Sequence, residues 1–204
     1  MTQEEQRAYH NISALIKFGF QSIAEIRATG NWSQSLPSDW IDQLIQEEFQ
    51  KHQKAALSWE QPTDPEKLLA VFNELRKLNI IALHKAGPNN SSGRSDAAWI
   101  HSKMLAEDIL SAGYCFYHEQ NLENALEQGE LMIAFGMIDE TTDAATKKLG
   151  ELIYGHLAKA GFSLSWDGEA KTKIKITKQT KNQILYICKK KNSLYSPKHR
   201  KSVI

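Results

Sequence analysis

Two histidines close short apolar stretches of this sequence: His84 ends NIIALH at 79–84, and His118 ends YCFYH at 114–118. Imidazole titrates near neutral pH, so the two rings could serve as a general acid and a general base, with an Asp or Glu orienting either one. Asp167, in the run Trp166-Asp167-Gly168, is a carboxylate in a third candidate position. Together His84, His118 and Asp167 would make a small hydrolytic site. A histidine at a strand end can equally hydrogen-bond a neighbouring backbone group and do nothing more. The same three residues are metal-ligand types, but nothing in their spacing forces them together, and no metal or cofactor is expected.

Other residues have chemistry suited to binding. The run GPNNSSGRSD holds two glycines and Arg94 just before an expected helix start at Ser95 or Asp96. Helix amino termini attract anions, so a phosphate could sit there. The run lacks the Gly-Lys-Ser/Thr of a phosphate-binding loop, and Asp96 as a cap would itself repel an anion. Tyr114, Phe116 and Tyr117 could stack nucleobases, but strand alternation puts Tyr117 on the side opposite Tyr114 and Phe116. Trp166-Asp167-Gly168 suits a tight hairpin turn, with Trp166 covering the edge of the core. The candidate binding residues are thus Arg94, Asp96, Tyr117, Gln120 and Trp166. Of the two cysteines, Cys115 lies in an apolar run and reads as a small core residue, and neither it nor Cys188 has a partner at metal-ligand spacing.

The elements that must position these residues follow from periodicity. Ile12, Leu15, Ile16, Phe20, Ile23 and Ile26 recur at steps of three and four, a helical face that Gly30 ends. A second helix begins near Pro37 and carries Trp40, Leu44, Ile45 and Phe49 inward. QPTDP at 61–65 is a breaker, after which Thr63 or Asp64 caps a helix through Leu68, Phe72 and Leu75. Next come a strand at 79–84, a helix from Ser95 or Asp96 to Ala112, and a strand at 114–118. A short helix capped by Asn121 leads to a strand at 131–136. Thr141 or Thr142 then opens a helix to Ala160, and 162–166 with 173–177 form a hairpin. The expected fold is α+β: a ferredoxin-like β-α-β-(α)-β-α-β-β sheet behind two or three packed helices. A small parallel α/β sheet is the alternative. The expected division is an N-terminal helical region, 1–60, packed on a core sandwich, 63–177, with a basic C-terminal tail, 178–204.

Charge is unevenly spread. Residues 170–204 hold eleven of the 25 Lys and Arg and no Asp or Glu, which leaves 14 basic and 24 acidic side chains on residues 1–169. The basic segment, 171–201, could meet nucleic acid or an anionic surface, could fold back on the acidic body, or could be an inert solvated end. The acidic body argues against a dedicated nucleic-acid domain, because the long-range fields oppose each other. No apolar run approaches the ~18–20 residues of a membrane span, and the first residues are polar and acidic, unlike a secretory leader. The expectation is a cytoplasmic protein.

NIIALHKAG, GRSDA, GYCFYHEQNLENALEQGELMIAFG and GFSLSWDG occur in this order and together resemble an uncharacterised bacterial family catalogued as domain of unknown function 6891. FGFQSIAEI is similar to that family's N-terminal helix. Glu119 and Asn121 depart from its Gln and Asp, and the basic segment after Lys178 departs from its usual close. The resemblance implies a shared fold and a shared site, but no reaction. Two function classes follow: a binding or regulatory protein acting through its surface on a protein partner, or a small hydrolase using His84, His118 and a carboxylate. The lysine-rich, Pro- and Ser-containing end of the chain has too little apolar area to offset ordering. Truncation after Thr177 should therefore lower unfolding stability by under about 1 kcal/mol in a urea titration.

Overall fold

A computed structural model describes residues 1–138 and 142–177. The basic tail, with Cys188 and the strand-forming run ILYI at 184–187, lies outside the described residues. Clustering of the backbone divides the described chain into two compact units, residues 1–66 and 67–177.

The first unit is helical. Helix α1 spans Gln3–Phe18 and opens with a reciprocal cap: Glu5 N–H donates to Thr2 Oγ1 at 3.2 Å and Thr2 N–H donates to Glu5 Oε2 at 2.7 Å. Helix α2, Ile23–Thr29, repeats the device with Ser22 and Glu25, and α3 spans Ser38–Ala56 directly after Pro37. The apolar positions read from the sequence do share one core, in which Ile12, Ile16, Ile26, Ile41 and Ile45 are buried. They do not form one helix. Gly19 adopts φ +64°, a left-handed conformation that favours glycine, and separates α1 from α2.

The second unit is an α+β layer structure. Helix α4, Asp64–Lys77, runs into it, with Thr63 N–H and Oγ1 both donating to Glu66 Oε2 at 2.8 Å. There follow β1 (Ile80–Leu83), α5 (Asn90–Leu105), β2 (Gly113–Phe116), α6 (Glu119–Gln128), β3 (Leu131–Gly136), α7 (Asp143–Lys159), β4 (Ser163–Ser165) and β5 (Ile174–Thr177). The sheet order is β1-β2-β3-β5-β4. Strands β1 and β2 pair in parallel, from Ile80↔Gly113 to Leu83↔Phe116, and every other neighbouring pair is antiparallel. This mixed, open sheet does not have the ferredoxin-like order, because a split β-α-β unit leaves room for a strand between the two that α5 connects, and here they bond directly. Nor is it the parallel alternative, since only one pair is parallel. Among the described residues no helix is long and apolar enough to cross a membrane.

Two boundaries move from their expected places. Asn89, not Ser95 or Asp96, caps α5 and accepts from Ser92 N–H at 3.1 Å, so much of the expected loop is the first turn of the helix. The helix also stops at Leu105, short of Ala112.

Alternation sorts the sheet into two faces. On one, α5 packs Ala97, Ile100 and Met104 against Ile81, Leu83, Phe116 and Ala134. On the other, α7 packs against β3 and β4, where Phe135 meets Trp166 edge-on at 5.6 Å. Beyond α5 the first face continues over β3, β5 and β4. There the register aligns Met132 with Lys175 and Lys175 with Ser165. Ser163 and Ser165 are exposed, while Met132, Lys175 and Thr177 are partly so. The alternate residues Ile133, Ile174 and Ile176 are fully buried.

Gly93 allows α5 to lie against the sheet, since a Cβ built there would fall 2.3 Å from the Phe116 ring. Gly93→Ala should therefore destabilise the protein by about 1–3 kcal/mol, as overpacking does, even though alanine is the better helix former by about 1 kcal/mol. A stabilised variant in urea unfolding would show that α5 has room to shift.

Candidate functional site

His84 and Tyr117 follow directly on two neighbouring parallel strands whose register places Leu83 opposite Phe116. The two side chains meet, with His84 Nδ1 3.0 Å from the Tyr117 hydroxyl. The His84 ring also stacks on Phe72 of α4, centroids 4.5 Å apart and planes 28° apart. Both side chains are buried. Burial, with a smaller contribution from the Arg76 charge, holds the His84 pKa down at about 3. Burial raises the Tyr117 hydroxyl well above its ordinary value. A ring this weakly basic and this enclosed is neutral near pH 7 and works as a core hydrogen-bonding group. Cys115, wholly buried beside them, has its thiol pushed up to about 12 by the same desolvation.

His118 belongs to the other face. Its ring lies 6.5 Å from that of Phe116, on the side where Gly93 of α5 packs. The residue is 4% exposed, and its backbone N–H donates to Asn121 Oδ1 at 3.2 Å. Asn121, expected as the cap of α6, thus acts from inside the first turn of a helix that starts at Glu119. His118 Nε2 lies 3.4 Å from Lys173 Nζ, which reaches it from the start of β5. The His118 pKa is lowered by burial and then by the Lys173 charge. That of Lys173 is lowered by burial and then by the Arg94 charge. His118 Nδ1 is buried and has no hydrogen-bond partner among the described residues.

Backbone bonds hold this corner together. Ala86 N–H donates to Tyr117 O at 2.9 Å, and Glu119 N–H to Gly87 O at 3.1 Å. The loop after β1 is thereby fastened to the first turn of α6. Glu119 pairs with Lys85 at 2.9 Å and Glu130 with Lys175 at 2.9 Å.

The candidate residues therefore separate into three groups. Tyr117 joins His84, and His118 meets Lys173, on which the Arg94 charge also acts. Asp167 and Trp166 form a lock of their own in the connection between β4 and β5. There Trp166 Nε1 donates to Thr172 Oγ1 at 3.0 Å and to Glu169 O at 3.2 Å, while Asp167 accepts from Thr172 Oγ1 and, at 3.0 Å, from Glu169 N–H. These bonds lower the Asp167 carboxyl pKa, the Thr172 bond most. The connection runs through residues 166–173, so it is longer than the two-residue turn expected of Asp-Gly. Asp96 and Gln120 are exposed. Lys173 was missed by the sequence reading. The run KIKIT carried the signal, because two buried isoleucines at alternate positions send Lys173 and Lys175 to the opposite face.

A family model described as Domain of unknown function (DUF6891) matches residues 1–182. No curated protein and no solved structure matches the chain.

The His84 environment predicts a pH dependence. The folded-state pKa lies below the unfolded value of about 6.5, so the unfolded chain binds the extra proton between about pH 6.5 and pH 3. The contribution of neutral His84 to stability is complete above that window and is lost as pH falls through it, with a slope of up to about 1.4 kcal/mol per pH unit. Urea unfolding at several pH values should show His84→Phe flattening this part of the curve. An unchanged slope would show that His84 is not held neutral.

Proposed function

This chain belongs to the family described as Domain of unknown function (DUF6891), and from that premise we propose that it is a binding protein acting through its surface on an acidic protein partner. The recognition face in this reading is the open part of the sheet beyond α5, over β3, β5 and β4. The observation that carries it is the separation of the two histidines onto opposite faces. His84 is enclosed between Phe72 and Tyr117, and Asp167 is engaged by Thr172 and Glu169 N–H. A general acid–base pair needs both groups within reach of one reacting atom, which this arrangement does not offer. The open face instead presents hydroxyls and lysines on a rigid sheet, with His118, Lys173 and Arg94 at its edge beside α5. A positive edge steers an acidic partner and fixes its register.

The hydrolase reading, with His84, His118 and a carboxylate, remains the competing one and is addressed by the same variants. Ser163 and Ser165 are exposed on the open face, so Ser163→Glu with Ser165→Glu leaves the core untouched while reversing the local field. Capture of the partner from native lysate should weaken by about tenfold or more in this double variant, should persist in His84→Phe, and should weaken for the native protein as salt rises. A hydrolytic activity abolished by both His84→Phe and His118→Ala would replace the binding reading with the enzymatic one.

A further inference from the structure

We propose that the run Ile184-Leu185-Tyr186-Ile187, in the basic segment after β5, docks within its own chain into an apolar groove at the carboxyl end of α3. This contact goes beyond the surface-binding reading and does not depend on it.

The groove is built from one short stretch of the first unit and has a volume of about 600 Å³. Gln50, Gln53, Lys54 and Leu57 recur at steps of three and four, so they form one stripe along the end of α3. Trp59 and Gln61, from the connection that follows, form the opposite wall. Two backbone bonds turn the chain over at the helix end: Ser58 N–H donates to Ala55 O at 3.1 Å, and Trp59 N–H to Ala56 O at 3.3 Å. Trp59 then meets the His52 ring edge-on, centroids 5.1 Å apart, which steadies the indole. The lining is largely apolar, and Leu57 is 88% exposed. A lone exposed leucine is ordinary. Here it stands beside a half-buried tryptophan on a concave surface roomy enough for several side chains, the form of a binding groove.

Charge and composition select the occupant. Residues 47–66, which hold the groove, carry five acidic and two basic side chains. One of the two bases, Lys51, is already paired with Glu48 at 3.2 Å. Glu66, in the lining, accepts from Thr63 N–H and Oγ1 at 2.8 Å, and both donors are neutral, so its negative charge stays in place. Residues 178–191 carry five lysines and no acid, and these lysines bracket the apolar run at 184–188. A segment with an apolar centre and basic flanks complements a groove with an apolar lining in an acidic stretch of chain. Ile184 follows the end of β5 at Thr177 by seven residues, so it lies no further than about 25 Å from that strand. A tether of this length gives an effective concentration on the order of millimolar, at which a weak contact is still populated. Docking for about four-fifths of the time multiplies the folding constant only about fivefold, in keeping with the small truncation effect expected from the sequence.

Cys188 reports this docking in the full-length protein, because it directly follows Ile187. Cys115 is fully buried with its thiol pushed up to about 12, so Cys188 is the thiol that a reagent reaches in the native protein. Alkylation of Cys188 by iodoacetamide is followed by mass spectrometry at two protein concentrations, with a synthetic peptide of residues 178–204 as the undocked reference. The expected result is a rate about fivefold slower in the protein than in the peptide, at both concentrations, since only the undocked fraction reacts. Leu57→Lys, at an exposed position, and Tyr186→Gln should each bring the rate back to that of the peptide, whereas Leu57→Met should keep the protection. A native Cys188 as reactive as the peptide would overturn the contact. So would protection that persists in Leu57→Lys or in Tyr186→Gln, which would put the run elsewhere. Protection that disappears on dilution would place the run in the groove of a second copy and overturn docking within one chain.

Discussion

In the parallel pair β1–β2, Leu83 stands opposite Phe116. One residue further along each strand, His84 therefore stands opposite Tyr117, and the next residue on the second strand is His118. Because successive side chains of a strand point to opposite faces, this single register settles the local chemistry. His84 and Tyr117 turn together toward Phe72 and the core, whereas His118 turns with Phe116 toward α5. A shift of one residue would exchange the two faces, send His84 outward and bury a different set of groups. The division between an inert buried imidazole and one beside Lys173 rests on that alignment.

Local features carried much of the fold. The five strands lie within a residue or two of where alternation and turn residues put them, and Gly30 ends a helix as read. What was not legible was pairing. Nothing in the sequence of β1 and β2 says that they bond directly, since strand adjacency is a property of distant segments meeting. Helix starts failed for a related reason: Asn89 and Ser95 are both competent caps, and it is Asn89 that accepts from the first turn, from Ser92 N–H. On the helical side, six apolar residues read as one stripe because their spacing carries across Gly19, although the chain turns there.

The candidate site was legible in its parts but not in its grouping. His118 and Arg94 stood out by type, while an anion at the segment around Arg94 was weighed against the repulsion of Asp96. The histidine pairing suggested by composition instead dissolved, because His84 and His118 end adjacent strands with opposite side-chain sense. Lys173 was hidden among eleven basic residues at the carboxyl end, where charge counting treats every lysine alike. Two of these lysines, Lys171 and Lys175, pair with Asp143 and Glu130, so net charge overstates how basic that segment is at those points.

The lock between β4 and β5 acts on the residue just before Lys173. Thr172 is held by Trp166 Nε1 and Asp167, and Trp166 is itself wedged against Phe135 and Tyr154. The backbone from which Lys173 departs is thus already ordered before anything approaches. Only the side chain's own rotamers remain to be fixed on contact, at roughly 0.5–1.5 kcal/mol for a long side chain. The Trp-Asp-Gly run, read from sequence as a simple turn, is in this sense a device that keeps one lysine waiting in place.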